Sequence, residues 1–343
     1  MSAVGSSASA AASFSSRLAA DRSVFPHQYN CVQDQVLLVG LAPAAQAQAS
    51  FLDERALAPG TQGAWFAFDA VAKAAQALGG APQGYIFHVG HCGSTLLSRL
   101  VAEATHSAAL REPLPLRTLA MDKAEGPGGL LGLDGFARRL SLFERLWARG
   151  EKPVVVKATS ICTDLADVVD RNAERVFAYQ PPDVHLAVVL AGANALMDLR
   201  GFAQLRYRRL AGLFDFGVLS GFSAGMLAAL TWLAETSAAA RSGGKLSLFN
   251  FEAFLKDPAP ALDAVCRALG FQPSPDDVAR AVAGPIMTSY SKATEHAYDA
   301  ALREQVIAQS RRENAAEIKA GMVWLEGLAR ENAPLADLLN RFS

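Results

Sequence analysis

The chain has 343 residues, of which 51% are hydrophobic and 19% charged, and a formal net charge of -1. That length buries a large core and admits one enlarged domain or two modest ones. The balanced charge offers a nucleic acid no global attraction, so only a local basic pocket stays open.

Four cysteines, Cys31, Cys92, Cys162 and Cys266, are widely separated. Their spacing fits neither a disulfide framework nor a close metal cluster, so a reducing, cytoplasmic location is expected. Residues 1–23 are Ala/Ser-rich without the sustained apolar core of a signal peptide. They read as a partly disordered tail, with a short helix over Ala11–Ala20. The apolar run Val36–Ala42 is too short to span a membrane, and no other segment reads as a span.

Residues 24–84 read as a helical or irregular addition to the main fold. Phe25–Leu41 supplies a small strand or an irregular cover. Ala42–Leu57 is alanine-rich and helical in character, and a second helix falls near Asp69–Leu78. Gly79, Gly80, Pro82 and Gly84 then break the chain. The main domain is expected over residues 85–330, with 331–343 as a C-terminal tail.

The domain opens on YIFHVGHCGSTLLSRL, Tyr85–Leu100. Tyr85–Val89 is a buried-strand run, and Leu96, Leu97 and Leu100 begin a helical pattern. Between them lies GHCGST, Gly90–Thr95. Strand, glycine turn and helix in that order make a cradle for an anion, because the first N–H groups of a helix lack intrahelical partners. Glycines allow close backbone approach. Ser94 and Thr95 can cap the helix or donate hydroxyls. The plain alternative is a tight turn that caps a helix. A Walker A loop, GxxxxGK[ST], is absent: the segment is too short and has no lysine before the hydroxyls.

Further along, Leu96–Thr105 is the helix after the loop and Ser107–Arg111 a second strand. Leu114–Ala120 reads as a short helix, Lys123–Gly135 as a mobile glycine-rich connection, and Phe136–Arg149 as an amphipathic helix. Pro153–Ala158 (PVVVKA), Val184–Ala191 (VHLAVVLA) and Leu246–Asn250 are further strand signals, with Asp164–Ala173 a helix between the first two. Helices are expected over Ala195–Phe216, Phe222–Ala240, Phe254–Leu269 (interrupted near Asp257–Pro260) and Tyr298–Arg330. Buried strands alternating with helices predict a three-layer α/β fold with a mostly parallel central sheet.

The arrangement resembles the sulfotransferase superfamily. That family opens on a strand–loop–helix close to PKSGTT, which holds the 5′-phosphosulfate of a nucleotide donor. Gly93, Ser94 and Thr95 match its glycine–hydroxyl–hydroxyl end, and His91 falls where lysine or arginine is common. LREPLPL, Leu110–Leu116, is similar to the family's carboxylate-bearing segment. LSLFNFEAFLKDPAPALDAVCRALGF, Leu246–Phe271, resembles its late strand and following helix. YSK, Tyr290–Lys292, resembles a basic tail segment that reaches the nucleotide. The family often carries an RxP-like segment for the donor's 3′-phosphate after the strand matched by Val184–Leu190. Here Ala191–Ala193 has no arginine, and Arg200, Arg206, Arg208 and Arg209 are the nearby candidates.

The resemblance implies a P-loop fold and sulfuryl transfer from 3′-phosphoadenosine 5′-phosphosulfate to a hydroxyl acceptor, a small molecule or a peptide. Such transfer rests on positioning and charge neutralisation. On this reading Gly90, His91, Cys92, Gly93, Ser94 and Thr95 bind the donor, with Lys157 and Lys292. His91 donates to the bridging oxygen or the transferred group, and its charge can change near neutral pH. Its plain alternative is a hydrogen bond within the loop; His88, inside the strand, reads as structural. Glu112 is the general-base candidate, or else the partner of Arg111 or another base. Lys157 lines the crevice or snorkels at the sheet edge. Lys292 reaches a phosphate or is solvated. Cys92 reads as a loop-filling thiol more than a nucleophile. Glu252 anchors the late strand or its helix.

No metal is expected, since the histidines are dispersed and HExxH is absent. GFSAG, Gly221–Gly225, lacks a preceding strand and a paired His/Asp, so it reads as a turn entering a helix. A diverged nucleotide phosphotransferase and a non-catalytic nucleotide-binding regulator or scaffold are the other functions this sequence admits.

Overall fold

The computed structural model describes residues 14, 16–126, 129–243, 246–288 and 300–343. The chain folds as an α/β protein with two sheets. Strands β1 (Val24–Asn30), β2 (Gln35–Gly40) and β3 (Gly63–Ala67) form an antiparallel meander. Strands β4 (Gly84–His88), β5 (Ala108–Arg111), β6 (Val154–Lys157), β7 (Glu174–Tyr179) and β8 (Leu246–Asn250) form a parallel sheet in the order β5-β6-β4-β7-β8. The helices Ser94–Thr105 and Pro258–Ala268 contact the strands from one side. From the other, Phe342 of the helix Ala333–Phe342 packs edge-on to Phe177, Tyr179 and Trp232. Covered on both faces, β4 needs no polar alternation, and Tyr85, Ile86 and Phe87 are all fully buried.

Strand β4 lies at the centre, between β6 and β7. Its loop therefore emerges from the middle of the sheet's carboxyl edge, where open α/β sheets bind their ligands.

Residues 24–84 differ from the helical or irregular expectation. Three of their segments pair as strands, and the helices are short, Pro43–Gln48 and Phe68–Ala74. The meander is tied to the main domain by Arg139, whose Nη2 donates to Asp34 at 2.6 Å. Within the first 23 residues, Phe14 and Leu18 are buried in the core. Arg149 fixes that stretch by donating to the carbonyls of Leu18 and Val24.

Three further expectations are corrected. Val184–Ala191 is not a strand: Pro182–Leu190 is a helix, and the strand is the preceding Glu174–Tyr179. A mostly apolar run suits a buried helix as well as a buried strand. Pro182 at the first turn and Asp183 beside it are helix-start signals that decide the matter. Residues 331–343 are not a tail. Ala333–Phe342 is a helix capped by Asn332, with Leu335 and Phe342 fully buried. The single helix expected over Tyr298–Arg330 is two, Ala300–Glu313 and Ala315–Glu331.

GFSAG is a helix entry, as its sequence suggests. Ser223 accepts from the Met226 N–H and caps Ala224–Arg241. A Cβ at Gly225 would overlap the Glu317 carbonyl, so this glycine serves close helix–helix approach.

The burial of Phe342 has a measurable consequence. Phe342→Ala should lower unfolding free energy by about 3 kcal/mol in urea titrations, as large-to-small core changes do. A loss under about 1 kcal/mol would mean that the last helix contributes little to the core.

Candidate functional site

The carboxyl ends of the parallel strands deliver the polar groups of one cavity. From β4 comes the loop Gly90–Thr95, from β5 Glu112, and from β6 Lys157, Thr159 and Ser160. Phe251 arrives after β8, and Phe51, Arg117 and Arg303 complete the walls. The cavity holds about 340 Å³, within the range of small-molecule sites.

The loop is built on left-handed backbone. Gly90, His91 and Gly93 have φ of +87°, +53° and +70°. His91 is the only non-glycine of the three, and a side chain at such φ is uncommon and strained. Gly93 has a second reason to be glycine: a Cβ there would overlap the Phe251 ring. The helix Ser94–Thr105 starts without a side-chain cap. Its first-turn N–H groups thus lack intrahelical acceptors and can surround an anion. Among the described residues the buried Thr95 hydroxyl has no hydrogen-bond partner, a donor left over at the same place.

Each predicted loop residue has a distinct environment. His91 is exposed, and its carbonyl accepts from Gln180 Nε2 at 3.5 Å. Cys92 lies fully buried, with Sγ donating to the Ala178 carbonyl at 3.2 Å. Burial pushes its thiol up to about 11, so it stays protonated near neutral pH and fills the loop's underside. His88 accepts the Gly90 N–H on Nδ1 at 2.9 Å and lies 2.8 Å from the Ala158 carbonyl through Nε2. Both bonds together require the Nε2–H tautomer, and the ring braces the turn.

Glu112 and Lys157 form a buried ion pair. The Lys157 side chain is 1% exposed and that of Glu112 18%. Their backbones are joined as well, Glu112 N–H donating to the Lys157 carbonyl at 2.7 Å. Glu112 has φ +56°, which turns its side chain back over the strand ends. Lys157 engages Oε1 and leaves Oε2 without a hydrogen bond from the described residues. The alternative partner, Arg111, turns the opposite way and donates to the carbonyls of Ala47 and Ala49. Lys157 does not snorkel at an edge, because β6 lies inside the sheet.

Arg303, from the helix Ala300–Glu313, was not singled out by the sequence. It pairs with Glu252, donates to Gln180 Oε1 at 3.3 Å, and lies 5.2 Å from the Phe251 ring centroid. Glu252 is therefore an anchor, as its position suggests. The segment after the true strand β7 reads Gln180–Pro181–Pro182, with glutamine where an RxP-like pattern has arginine. The four nearby candidates do not compensate. Arg206 and Arg209 are buried around Glu235, Arg208 pairs with Glu125, and neither they nor Arg200 line the cavity. Lys292 lies outside the described residues. Arg303 is 123 residues from Gln180 in the chain, so no local pattern announces it. Among the described residues, no group of three or more His, Cys, Asp or Glu could hold a metal ion, and no helix is long and apolar enough to cross a membrane.

Breaking the buried pair should be asymmetric. Glu112→Gln strands the Lys157 charge away from water and should cost about 3 kcal/mol of unfolding free energy. Lys157→Met should cost less, because water reaches Glu112, and the double variant should resemble Lys157→Met. Equal and additive losses in a denaturation cycle would contradict a coupled, buried pair.

No protein-family model matches the chain, and no curated protein matches it. Among solved structures, it has a weak, partial likeness to sulfotransferase domains. The sulfotransferase domain from the curacin biosynthetic pathway is 14% identical, with a TM-score of 0.41, over 69% of this chain and 98% of that one. The sulfotransferase domain of the Synechococcus PCC 7002 olefin synthase is 13% identical, with a TM-score of 0.41, over 68% and 88%. Retinol dehydratase in complex with retinol and PAP is 14% identical, with a TM-score of 0.34, over 71% and 83%. At these scores and identities no residue role follows from any of the three.

Proposed function

We propose that the protein is a sulfotransferase that uses 3′-phosphoadenosine 5′-phosphosulfate and a hydroxyl-bearing acceptor. The observation that carries the reading is the loop Gly90–Thr95. It combines left-handed turns, a helix start without a side-chain cap and a buried Thr95 hydroxyl that has no hydrogen-bond partner among the described residues, all in one cavity wall. Those are donors arranged for a phosphate or sulfate group, and Gly93 leaves the backbone close to Phe251 with no space for a side chain.

When bound, the nucleotide would supply the sulfuryl group. The chain's own residues do the remaining work. Loop N–H groups and the Thr95 hydroxyl hold the 5′-phosphate end. Arg303, over Phe251, against Gln180 and paired with Glu252, presents oriented N–H donors on the β8 side. His91 donates where charge develops as the bond to the leaving phosphate lengthens. Glu112 Oε2 receives the acceptor's hydroxyl proton, while Lys157 holds Oε1 and fixes the carboxylate's orientation. The pairing with Lys157 positions the base before any ligand arrives.

A nucleotide phosphotransferase would need the same cradle, but no GxxxxGK[ST] lysine serves it here. A binding protein without catalysis would not need a carboxylate oxygen left open beside the cradle.

Single-turnover sulfuryl transfer to a panel of phenols and alcohols tests the reading. His91→Ala should lower the chemical rate about a hundredfold, more than it weakens donor binding, because the loop N–H groups remain. His91→Lys should retain activity and lose any histidine-dependent pH transition in the rate. An unchanged rate in the alanine variant would remove His91 from catalysis. Absence of transfer to every acceptor, with donor bound, would favour the non-catalytic reading.

A further inference from the structure

Besides histidines, four cationic side chains among the described residues line the cavity: Arg55, Arg117, Lys157 and Arg303. Three are neutralised where they stand. Arg55 holds both carboxylate oxygens of Asp53, with Nε at 2.9 and 3.0 Å. Lys157 has Glu112, and Arg303 has Glu252. Arg117 has no carboxylate partner among the described residues and makes no hydrogen bond to them. It is half-buried, with its guanidinium carbon 5.5 Å from the centroid of the Phe202 ring. Asp198 is the lining carboxylate without a paired cation, but it is exposed, so water satisfies it.

A half-buried guanidinium seated on an aromatic ring, with no counter-ion, is a ready partner for an anion. It cannot be the donor's cradle, which is the loop on β4. Arg117 stands instead on the helix Leu114–Ala124, five residues after Glu112, whose positive φ makes the sharp turn before that helix, and one helical turn past the helix start. Its closeness in the chain to Glu112 is the ground on which the charge is assigned to the acceptor's side of the cavity.

Phe51 supplies a second aromatic ring to the same cavity. Phe51 lies beneath Arg55, 3.9 Å from its guanidinium carbon, and faces Lys157 at 5.8 Å. The segment that carries Phe51 is held from three directions. Leu52 N–H donates to the Arg111 carbonyl at 2.8 Å, Arg111 Nε donates to Ala49 at 2.7 Å, and Arg99 donates to Gln48 and Ser50, both at 3.0 Å. Arg99 belongs to the helix that follows the loop, and Arg111 to β5. The N-terminal meander's connection is thus fastened to the elements that build the site, and its aromatic wall is pre-organised.

We propose that the acceptor is a hydroxyl compound with a flat apolar body and a carboxylate, and that Arg117 binds the carboxylate while Phe51 and Phe202 flank the body. This rests on the transfer reading for the location of the acceptor, but the recognition itself does not require turnover. Arg117 is a specificity-determining residue of this site.

The test is calorimetry with 3-(4-hydroxyphenyl)propionate and its neutral amide, 3-(4-hydroxyphenyl)propanamide, with and without 3′-phosphoadenosine 5′-phosphate. The acid should bind at least about tenfold more tightly than the amide, a difference typical of one charge-assisted contact. Arg117→Ala should remove that difference by weakening the acid alone, and Arg117→Lys should restore part of it. Nucleotide affinity and thermal stability should stay unchanged in Arg117→Ala, since the side chain makes no structural hydrogen bond. Equal affinities for acid and amide, equal weakening of both, or binding of neither would overturn the proposal. Arg117-dependent acid binding without nucleotide binding would sustain it and overturn the sulfate-donor reading. Nucleotide binding with no acid preference would do the reverse.

Discussion

The site depends on the contact between Gly93 and Phe251. The loop after β4 can lie flat on that ring because position 93 has no side chain to lift it. Phe251 in turn stacks on Phe254 and is covered by Arg303, and Asn250 caps its helix by accepting from the N–H groups of Glu252 and Ala253. A loop from the centre of the sheet is thereby fixed to the end of its edge strand, β8. From below, Cys92 hangs in the core against Ala178, and from the side Gln180 reaches the His91 carbonyl. Core packing thus determines where the loop's N–H groups point. The strained φ of His91 persists because its neighbours on both sides are immobilised.

That rigidity explains the electrostatic economy of the cavity. Lys157 is buried beside Glu112, and Arg303 is paired with Glu252, so both are oriented without an incoming ligand. Paired charges in a low-dielectric wall hold fixed directions and reorganise little when charge moves. The unmatched guanidinium of Arg117 is the exception. The meander of β1–β3 contributes through Phe51, Asp53 and Arg55, so the first eighty residues are part of the cavity wall as well as part of the core.

Much of this was legible in the residues, and the misses have physical causes. Strand, glycine turn and helix around Gly90–Thr95 are local, so β4, the loop and the helix Ser94–Thr105 stand where the pattern puts them. Glu112 and Lys157 each end a recognisable strand and meet because parallel strands end on one side. Their mutual pairing was not readable, since it depends on β5 and β6 being neighbours. VHLAVVLA misled because a mostly apolar run carries no clear period, and the real strand, Glu174–Tyr179, follows a stretch expected as the helix Asp164–Ala173, which holds only the end of a short 3-10 turn, Ser160–Leu165. The C-terminal helix was missed because its burial is set by partners more than 100 residues away, among them Phe177 and Trp232. Arg303 and Arg117 carry no motif; their places in the cavity arise from tertiary placement alone.

The central claim is that the backbone of Gly90–Thr95, shaped by Gly93 against Phe251, is a cradle for a 3′-phosphorylated adenosine nucleotide. Calorimetric titration with 3′-phosphoadenosine 5′-phosphate, ATP and GTP addresses it directly, in the original protein and in Gly93→Ala. The account expects saturable binding of the 3′-phosphorylated nucleotide, at least about tenfold tighter than ATP or GTP, and its loss in a Gly93→Ala variant that remains folded. Preferential binding of ATP or GTP, or undiminished binding in folded Gly93→Ala, would contradict it.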